Sequence, residues 1–169
     1  MAADLILGFA TFPTPIGSFT VLASQDGVIA TTTGDVEPFV EDLAGRLGAV
    51  PRPDPRRLSA AGRELDRYFA NDLRRFSTSV DLRLVGTPFA RAVLEVTRTI
   101  PYGEMWTYGD VAGRAGRPGA GRGAGSALRR CPVELFVPCH RVVPAGPGLG
   151  AYGGDEDRRA FLLRFEHAI

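Results

Sequence analysis

The amino-acid sequence predicts an α+β protein with a strand-rich N-terminal part and a mostly helical C-terminal part. Short runs of β-branched and aromatic residues, separated by turn residues, open the chain, and this pattern indicates an antiparallel meander. Apolar residues at helical spacing follow. A chain of 169 residues can bury one core, or two smaller ones, without disulfide or metal staples.

The N-terminal domain is expected to span residues 1–86. Its strands correspond to the runs LILGFATF, SFTVLAS and VIATTTG, which are separated by short turns. Apolar stripes over residues 36–47 and 58–69 each predict a helix, the first of which covers a face of the sheet. The three prolines within residues 51–55 indicate a linker, and residues 76–84 are expected to be extended.

The C-terminal domain is expected to span residues 87–169. Thr87 followed by proline is typical of an N-cap and the first helical position. Thr107 and Asp110 have the spacing of a capping box and predict a short second helix. A further helix over residues 119–130 follows after a short turn, so the pair has the pattern of a helix-turn-helix.

The helix at 119–130 contains four glycines, each of which costs about 1 kcal/mol relative to alanine in a helix interior. One explanation is close approach to a binding partner, with Arg122 as the long projecting side chain. A glycine-rich loop or a tight helix–helix contact explains the composition equally well.

The positive charge is concentrated in the C-terminal half, although the net charge is only +1. The window 105–145 contains six arginines and two acidic residues, which predicts a positive face suited to phosphate contacts. An ordinary solvated surface is the alternative.

Several protein classes are excluded by composition. No apolar run reaches the 18 or so residues that span a bilayer, so we expect no membrane insertion. The N-terminal segment MAADLILGFATF has acid in place of base before its apolar stretch and is a poor signal peptide, so a cytoplasmic location is expected. Two cysteines are too few for a disulfide framework.

The most specific stretch is VPCHRVV, where Cys139 and His140 lie between apolar residues. We expect Cys139 to lie at the floor of a pocket and not on a loop tip, and burial alone raises the pKa of a thiol and makes it inert. A reactive cysteine there needs a base, which His140 supplies directly or through one water, and an acid that orients the imidazole. Glu166 is a candidate for that acid because it follows a helix expected over residues 155–165. That helix is expected to bury Phe161, Leu162 and Phe165 and so to carry its C-terminal end inwards. On these residues alone, a structural role for the cysteine and histidine stays open.

The combination of IPYGE, TYGD, the glycine-rich helix, PVELFVPCHRVV and YGG followed by FLLRFE resembles the O6-alkylguanine-DNA alkyltransferase family. The resemblance covers residues 87–167 and extends more loosely to TPIGSFTVLAS in the N-terminal domain. It implies a ribonuclease H-like antiparallel sheet in a supporting N-terminal domain, and a C-terminal domain that binds DNA and accepts the alkyl group.

The function implied by this resemblance is direct reversal of DNA damage by a monomeric protein without cofactor or metal. O6-alkylguanine, or O4-alkylthymine, is flipped out of a duplex bound through its minor groove. The alkyl group passes irreversibly to Cys139, one group per chain, with His140 and Glu166 as the base and its partner. Tyr108 donates a hydrogen bond to the departing guanine. The guanine is held by Pro138, Val142, Tyr152 and Gly153. The DNA contacts are assigned to Tyr108, Ala120, Arg122, Gly123, Gly125, Ser126 and Arg129. Cooperative binding along DNA stays open.

The chain departs from the family pattern at three places. Cys131 stands where the family usually has an asparagine, which weakens a hydrogen bond between the DNA-binding helix and the active-site stretch. Cys131 is interpreted as a small buried apolar residue, with a second alkyl sink or a disulfide to Cys139 as alternatives. Val93–Leu94 replaces a valine–tryptophan pair, and Asp155 replaces a glycine.

Three other functions fit part of the pattern. A metal site has only the cysteines and histidines Cys131, Cys139, His140 and His167 available, and their spacing matches no common zinc motif. A cysteine hydrolase would turn over an ester or amide. A non-catalytic sensor of alkylguanine would bind the lesion without transfer, but such relatives typically lack the reactive cysteine.

Overall fold

The computed structural model describes residues 4–169, so residues 1–3 of the N-terminal segment discussed above lie outside the described residues. The chain divides into two compact units, one ending at Arg83 and one spanning Leu84–Ile169. This division lies three residues before the boundary expected after residue 86. The supporting role of the first part and the DNA-binding role of the second stay predictions.

The first unit is built on a four-stranded sheet with the order β3-β2-β1-β4. Strands β1 (Gly8–Thr14), β2 (Gly17–Ser24) and β3 (Gly27–Thr32) form the expected antiparallel meander. Gly27 has a φ of +147°, and a Cβ there would lie 2.5 Å from the carbonyl oxygen of Ser79. Only glycine therefore fits this turn. The ribonuclease H-like description of the sheet stays a prediction.

Two extended segments differ from the sequence-based expectation. The proline-rich segment is not a free linker, because β4 (Arg52–Pro53) pairs in parallel with β1. Pro53 lacks an N–H but is tolerated there because β4 is an edge strand. The segment 76–84 contributes a single bridge, between Val80 and Val28, and no regular strand. The alternating apolar residues of this segment were therefore not sufficient to form a regular strand.

The helices of the first unit agree with the apolar stripes. Helix α1 (Val36–Leu47) ends at Gly48, whose φ of 66° is the left-handed C-cap conformation. Helix α2 (Ser59–Phe69) carries Glu64, which accepts hydrogen bonds from the backbone N–H groups of residues 77 and 78 at 2.6 and 2.7 Å. The fully buried core of this unit includes Phe19, Leu22, Ile29, Leu43, Leu65 and Tyr68.

The second unit is mostly helical, as expected. Its helices are α3 (Pro88–Thr97), α4 (Tyr108–Arg114), α5 (Gly121–Arg129) and α6 (Glu156–Phe165). Thr87 caps α3 by accepting a hydrogen bond from Ala90 N at 3.1 Å. The capping box of α4 is present, with Asp110 N–Thr107 Oγ1 at 3.1 Å and Thr107 N–Asp110 Oδ2 at 2.9 Å.

A short parallel ladder joins the segment before α4 to the segment that follows Cys139 and His140. Strand β5 (Trp106–Thr107) pairs with β6 (Val142–Val143). Helix α4 begins directly after β5, and a 3-10 turn, Cys139–Arg141, ends directly before β6. The ladder therefore brings the start of α4 to the Cys139 turn.

The glycines of α5 serve packing inside the protein. A Cβ on Gly121 would lie 3.5 Å from Gly109 N, and one on Gly125 would lie 3.7 Å from the Tyr108 ring. A Cβ on Gly123 would lie 3.1 Å from the Phe89 ring. A tight helix–helix contact is therefore supported at Gly123, whereas Gly121 and Gly125 leave room for a Cβ at ordinary contact distance. Helix α5 also begins two residues later than expected, because Gly119 has a left-handed φ of +85°.

Helix α6 buries a narrower stripe than expected. Leu162 and Leu163 are fully buried, but Phe161 is 39% exposed and Phe165 is half-buried. The prediction that Phe161 is a core residue was wrong. Within residues 4–169, none of the helices has the length and apolar character needed to cross a membrane.

Candidate active site

A cleft of about 910 Å³ opens in the C-terminal unit, a volume within the usual range of small-molecule sites. Its walls come from the start of α4, the exposed side of α5, the Cys139 turn and the loop 144–155. Cys139 is only 5% exposed and lines the cleft. The other side chains in the wall that carry polar chemistry include Tyr108, Arg122, Cys131, Glu134, Tyr152 and Arg159.

A buried ion-pair system lies next to Cys139. His140 Nε2 is 2.8 Å from Glu166 Oε1, and both residues are at most 2% exposed. Arg141 donates to both carboxylate oxygens of Glu166, with Nη2–Oε1 at 2.7 Å and Nε–Oε2 at 2.9 Å. The third Arg141 nitrogen, Nη1, donates to Ile100 O at 2.7 Å. The sequence predicted the His140–Glu166 pair but missed Arg141 as the second partner.

The ionisation of Glu166 decides which nitrogen of His140 is basic. Burial raises the pKa of Glu166, but the hydrogen bonds from His140 and Arg141 outweigh it and hold that pKa far below its usual value. An ionised carboxylate only accepts, so His140 Nε2 carries the hydrogen and Nδ1 carries the lone pair. Within the described chain, this buried Nδ1 has no hydrogen-bond partner.

The pKa of His140 favours the neutral imidazole. Burial lowers this pKa most, the hydrogen bond and charge of Glu166 raise it, and the charge of Arg141 lowers it again, with a net lowering. His140 is therefore a neutral base at pH 7 with one available nitrogen.

The thiol of Cys139 is protonated at rest. Its pKa is raised well above the usual value, first by a hydrogen bond with the Cys131 thiol and then by burial, with a smaller contribution from the charge of Glu134. A protonated thiol is a poor nucleophile. Reactivity at Cys139 consequently depends on a nearby base.

Tyr108 faces the cleft from the first position of α4 and contacts a residue that the sequence did not single out. Its hydroxyl accepts a hydrogen bond from Arg159 Nη2 at 3.4 Å. Arg159 is 2% exposed, donates to Leu149 O and stacks 4.5 Å above the ring of Tyr152. The signal was present in the sequence, because Arg159 shares the buried face of α6 with Leu162, Leu163 and Glu166 at helical spacing.

Glu134 is a second polar residue of the cleft that the sequence did not single out. Its carboxylate accepts from Arg158 Nη1 at 2.9 and 3.1 Å and from the Tyr152 hydroxyl at 3.5 Å. Burial raises the pKa of Tyr152 well above its usual value, and the charge of the nearby Glu134 carboxylate raises it further. Tyr152 is therefore a neutral phenol that donates.

The remaining sequence-predicted site residues fall into two groups. Arg122, Gly125, Arg129 and Gly153 line the cleft together with Cys139, Tyr108 and Tyr152. Pro138 and Val142 are buried on either side of the 3-10 turn and do not line the cleft. The residues Ala120, Gly123 and Ser126 also lie outside its lining.

The expected positive face is smaller than the sequence suggested. Arg141 is buried in the ion pair with Glu166. Arg114 stacks at 4.0 Å on the ring of Trp106, and Arg117 lies 4.9 Å from the ring of Phe89. The prediction that all six arginines of this window form one surface was therefore wrong for Arg141.

Among residues 4–169, no three His, Cys, Asp or Glu side chains converge in a way that suits a metal ion. The site instead combines a buried thiol, a neutral base and an ionised carboxylate, which is the arrangement of proteins that use a cysteine nucleophile.

Comparisons with known proteins define the family. The family profile described as 6-O-methylguanine DNA methyltransferase, DNA binding domain, matches residues 88–168. The methylated-DNA–protein-cysteine methyltransferase of Mycobacterium tuberculosis is 37% identical over 161 residues, 95% of this chain and 93% of the relative. The protein of the same name from Mycobacterium leprae is 42% identical over 152 residues, 90% of this chain and 87% of the relative.

Solved structures agree with these relatives. The crystal structure of the Mycobacterium tuberculosis O6-methylguanine methyltransferase superposes with a TM-score of 0.80 at 34% identity, covering 96% of this chain and 94% of that chain. A structure of Mycobacterium tuberculosis OGT in complex with DNA has a TM-score of 0.77 at 34% identity, covering 94% and 92%. The chain belongs to the methylated-DNA–protein-cysteine methyltransferase family, which confirms the resemblance and the α+β fold class inferred from the motifs.

Proposed function

We propose that this protein repairs DNA by transferring the alkyl group of O6-alkylguanine to Cys139. The observation that carries the proposal is that Cys139 lines the cleft and is followed in the chain by His140, a neutral base whose Nε2 is held by Glu166 and whose Nδ1 is available. The names of the relatives support the same chemistry, since they describe transfer from methylated DNA to a protein cysteine.

The reaction begins with removal of the Cys139 proton by His140 Nδ1, directly or through one water. The resulting imidazolium is stabilised by the Glu166 carboxylate at 2.8 Å. The thiolate attacks the alkyl carbon in line, so that an S–C bond forms while the C–O6 bond breaks and its electron pair passes to guanine. Tyr108 donates a hydrogen bond to the guanine ring as that charge develops. The thioether product has no easy return, so each chain repairs one lesion.

The flipped guanine occupies the cleft. The backbone of Cys139 and Val142 reads its exocyclic amine, and the backbone near Tyr152 and Gly153 contacts O6. Pro138 fixes the start of the turn that carries the acceptor. O4-alkylthymine presents its alkyl oxygen in the equivalent place on a smaller ring, but it has no exocyclic amine, so it keeps only the contacts to the alkyl oxygen.

Helix α5 contacts the minor groove. The side chains of Arg122 and Arg129 are exposed and also line the cleft, which suits a helix that binds DNA beside the pocket for the flipped base. Arg122 enters the base stack and holds the gap that the guanine leaves, at an unstacking cost of a few kcal/mol. The contacts to the groove come from Ala120, Gly123, Gly125, Ser126 and Arg129. The protein acts as a monomer in the cytoplasm.

The test is a single-turnover reaction with a duplex that contains one O6-methylguanine. We expect one methyl group per chain, on the fragment that contains Cys139. Trypsin leaves Cys131 and Cys139 together in the peptide 131–141, so cleavage after Glu134 is needed to separate them. Cys139→Ser is expected to abolish transfer, whereas Cys131→Ser is expected to retain it.

Three outcomes would contradict the proposal. Tight binding of the damaged duplex without a methyl adduct favours the lesion sensor. Release of more than one equivalent of product per chain favours a cysteine hydrolase. A methyl adduct on Cys131 in place of Cys139 would show that the proposal names the wrong acceptor.

A further inference from the structure

Cys131 is a nucleophile that the proposed alkyl transfer does not use. It is half-buried and lines the same cleft as Cys139. Its thiol donates to Val133 O at 3.3 Å, and its interaction with the Cys139 thiol is the largest cause of the raised Cys139 pKa. The two cysteines therefore share one cleft wall, where the alkyl group would arrive.

The segment between the two cysteines folds back on itself, which explains how residues eight positions apart come to share that wall. Glu134 and Val137 form a bridge, and Phe136 N donates to Glu134 O at 2.9 Å. Leu135 has a φ of 68°, a left-handed conformation that is uncommon outside glycine and that reverses the chain at this point. The proximity of the two cysteines is thus set by the backbone.

We infer that Cys131 and Cys139 form a reversible disulfide that caps the acceptor sulfur under oxidising conditions. The oxidant is a hydroperoxide. The Cys139 thiolate attacks its terminal oxygen, the O–O bond breaks, and Cys139 sulfenic acid and a hydroxide or alkoxide form. The Cys131 thiol then loses its proton and displaces hydroxide from that sulfur, which gives the S–S bond and water. A dithiol reductant returns both thiols.

The site favours this second step. The base His140 that prepares Cys139 for alkyl transfer also prepares it for the peroxide, and Cys131 already lies in the same cleft wall when the sulfenic acid forms. The chain has no other cysteine, so a sulfenic acid without Cys131 proceeds to the irreversible sulfinic acid. The disulfide thus preserves a protein that, on the proposed function, acts only once.

The test is a count of free thiols in the folded full-length protein after brief treatment with hydrogen peroxide. The protein is denatured with N-ethylmaleimide, digested after Glu134 and analysed by mass. For the wild type we expect loss of both maleimide-reactive thiols, fragments that remain linked, and recovery of both thiols after dithiothreitol. For Cys131→Ser we expect oxygen atoms on Cys139 that dithiothreitol does not remove.

Alkyl transfer is measured on the same samples. It is expected to recover in the reduced wild type and to stay lost in Cys131→Ser. Two results would overturn the disulfide within one chain. In the first, Cys131 of the oxidised wild type still reacts with maleimide. In the second, the cysteines are linked only between different chains. Absence of alkyl transfer in every reduced sample contradicts the proposed function instead, and the mass measurement still decides the disulfide.

Discussion

The buried carboxylate of Glu166 gives the sharpest test of how the site is held together. We expect Glu166→Gln to destabilise the protein strongly. The carboxylate accepts hydrogen bonds from His140 Nε2 at 2.8 Å and from Arg141 at 2.7 and 2.9 Å. It also accepts a longer hydrogen bond from Gly103 N at 3.4 Å. The glutamine amide places an NH₂ group against these donors and leaves the Arg141 guanidinium buried without its counter-charge.

The magnitude follows from the buried charge. Removing one partner of a buried ion pair costs about 3–5 kcal/mol. With a urea m-value of roughly 2 kcal/mol/M, this cost corresponds to a lowering of the unfolding midpoint by about 1.5–2.5 M. Urea titration followed by circular dichroism measures it. Asp157→Asn in the exposed first turn of the same helix is the control, and its effect is expected to stay below about 1 kcal/mol.

The same carboxylate predicts how the stability difference varies with pH. Because the pKa of Glu166 is lower in the folded than in the unfolded state, its contribution is fully present above the unfolded pKa of about 4.5. It is lost as the pH falls from there towards the folded pKa. The gap between wild type and Glu166→Gln should therefore shrink in acid. A midpoint shift below about 0.5 M at pH 7, or a gap that widens in acid, would refute this account of the ion pair.

Three further predictions concern the base, the glycine helix and the cleft. His140→Asn should slow alkyl transfer from O6-benzylguanine at pH 7. The remaining rate should rise steadily towards alkaline pH, because the Cys139 thiol then ionises without a base. The control His167→Asn changes the exposed histidine and should behave as wild type. Gly125→Ala should raise the free energy of unfolding by up to about 1 kcal/mol, since its Cβ meets its neighbours at ordinary contact distance, whereas Gly123→Ala should gain less because its Cβ would lie 3.1 Å from an aromatic ring. Equal gains in urea titrations would contradict that packing. Arg159→Met should slow transfer about tenfold, the equivalent of one charge-assisted hydrogen bond, with little change in affinity for undamaged DNA. An unchanged rate would show that its contact with the tyrosine hydroxyl does not matter for the reaction.

The parts of this molecule that follow local rules could be predicted from the sequence. The meander strands and the capped starts of α3 and α4 depend on turn residues and hydroxyl caps within a few positions, so residues such as Thr87 and Thr107 are sufficient to indicate them. The inward position of Glu166 was likewise predictable, because it follows the buried stripe of α6.

The parts that depend on distant partners could not be predicted. The edge strand β4 exists because Arg52 N reaches Leu7 O across 45 positions, and no local pattern encodes that pairing. Arg141 looked like a surface cation because its partner lies 25 residues further on. The position of Arg159 on the buried face of α6 was visible in the sequence, but its contacts with Tyr108 and Tyr152 depend on residues 51 and 7 positions away and were not.

The two-residue ladder between β5 and β6 has a consequence for how the site tolerates change. Tyr108 directly follows β5, and the Cys139 turn directly precedes β6. The pairing of the two strands therefore fixes the separation between the Tyr108 phenol and the Cys139 sulfur. Replacing the side chains on these strands by other strand-forming residues should leave that spacing intact. A proline at Val142 would remove the N–H that donates to Cys139 O at the end of the 3-10 turn, so the acceptor sulfur would lose its fixed position relative to the phenol.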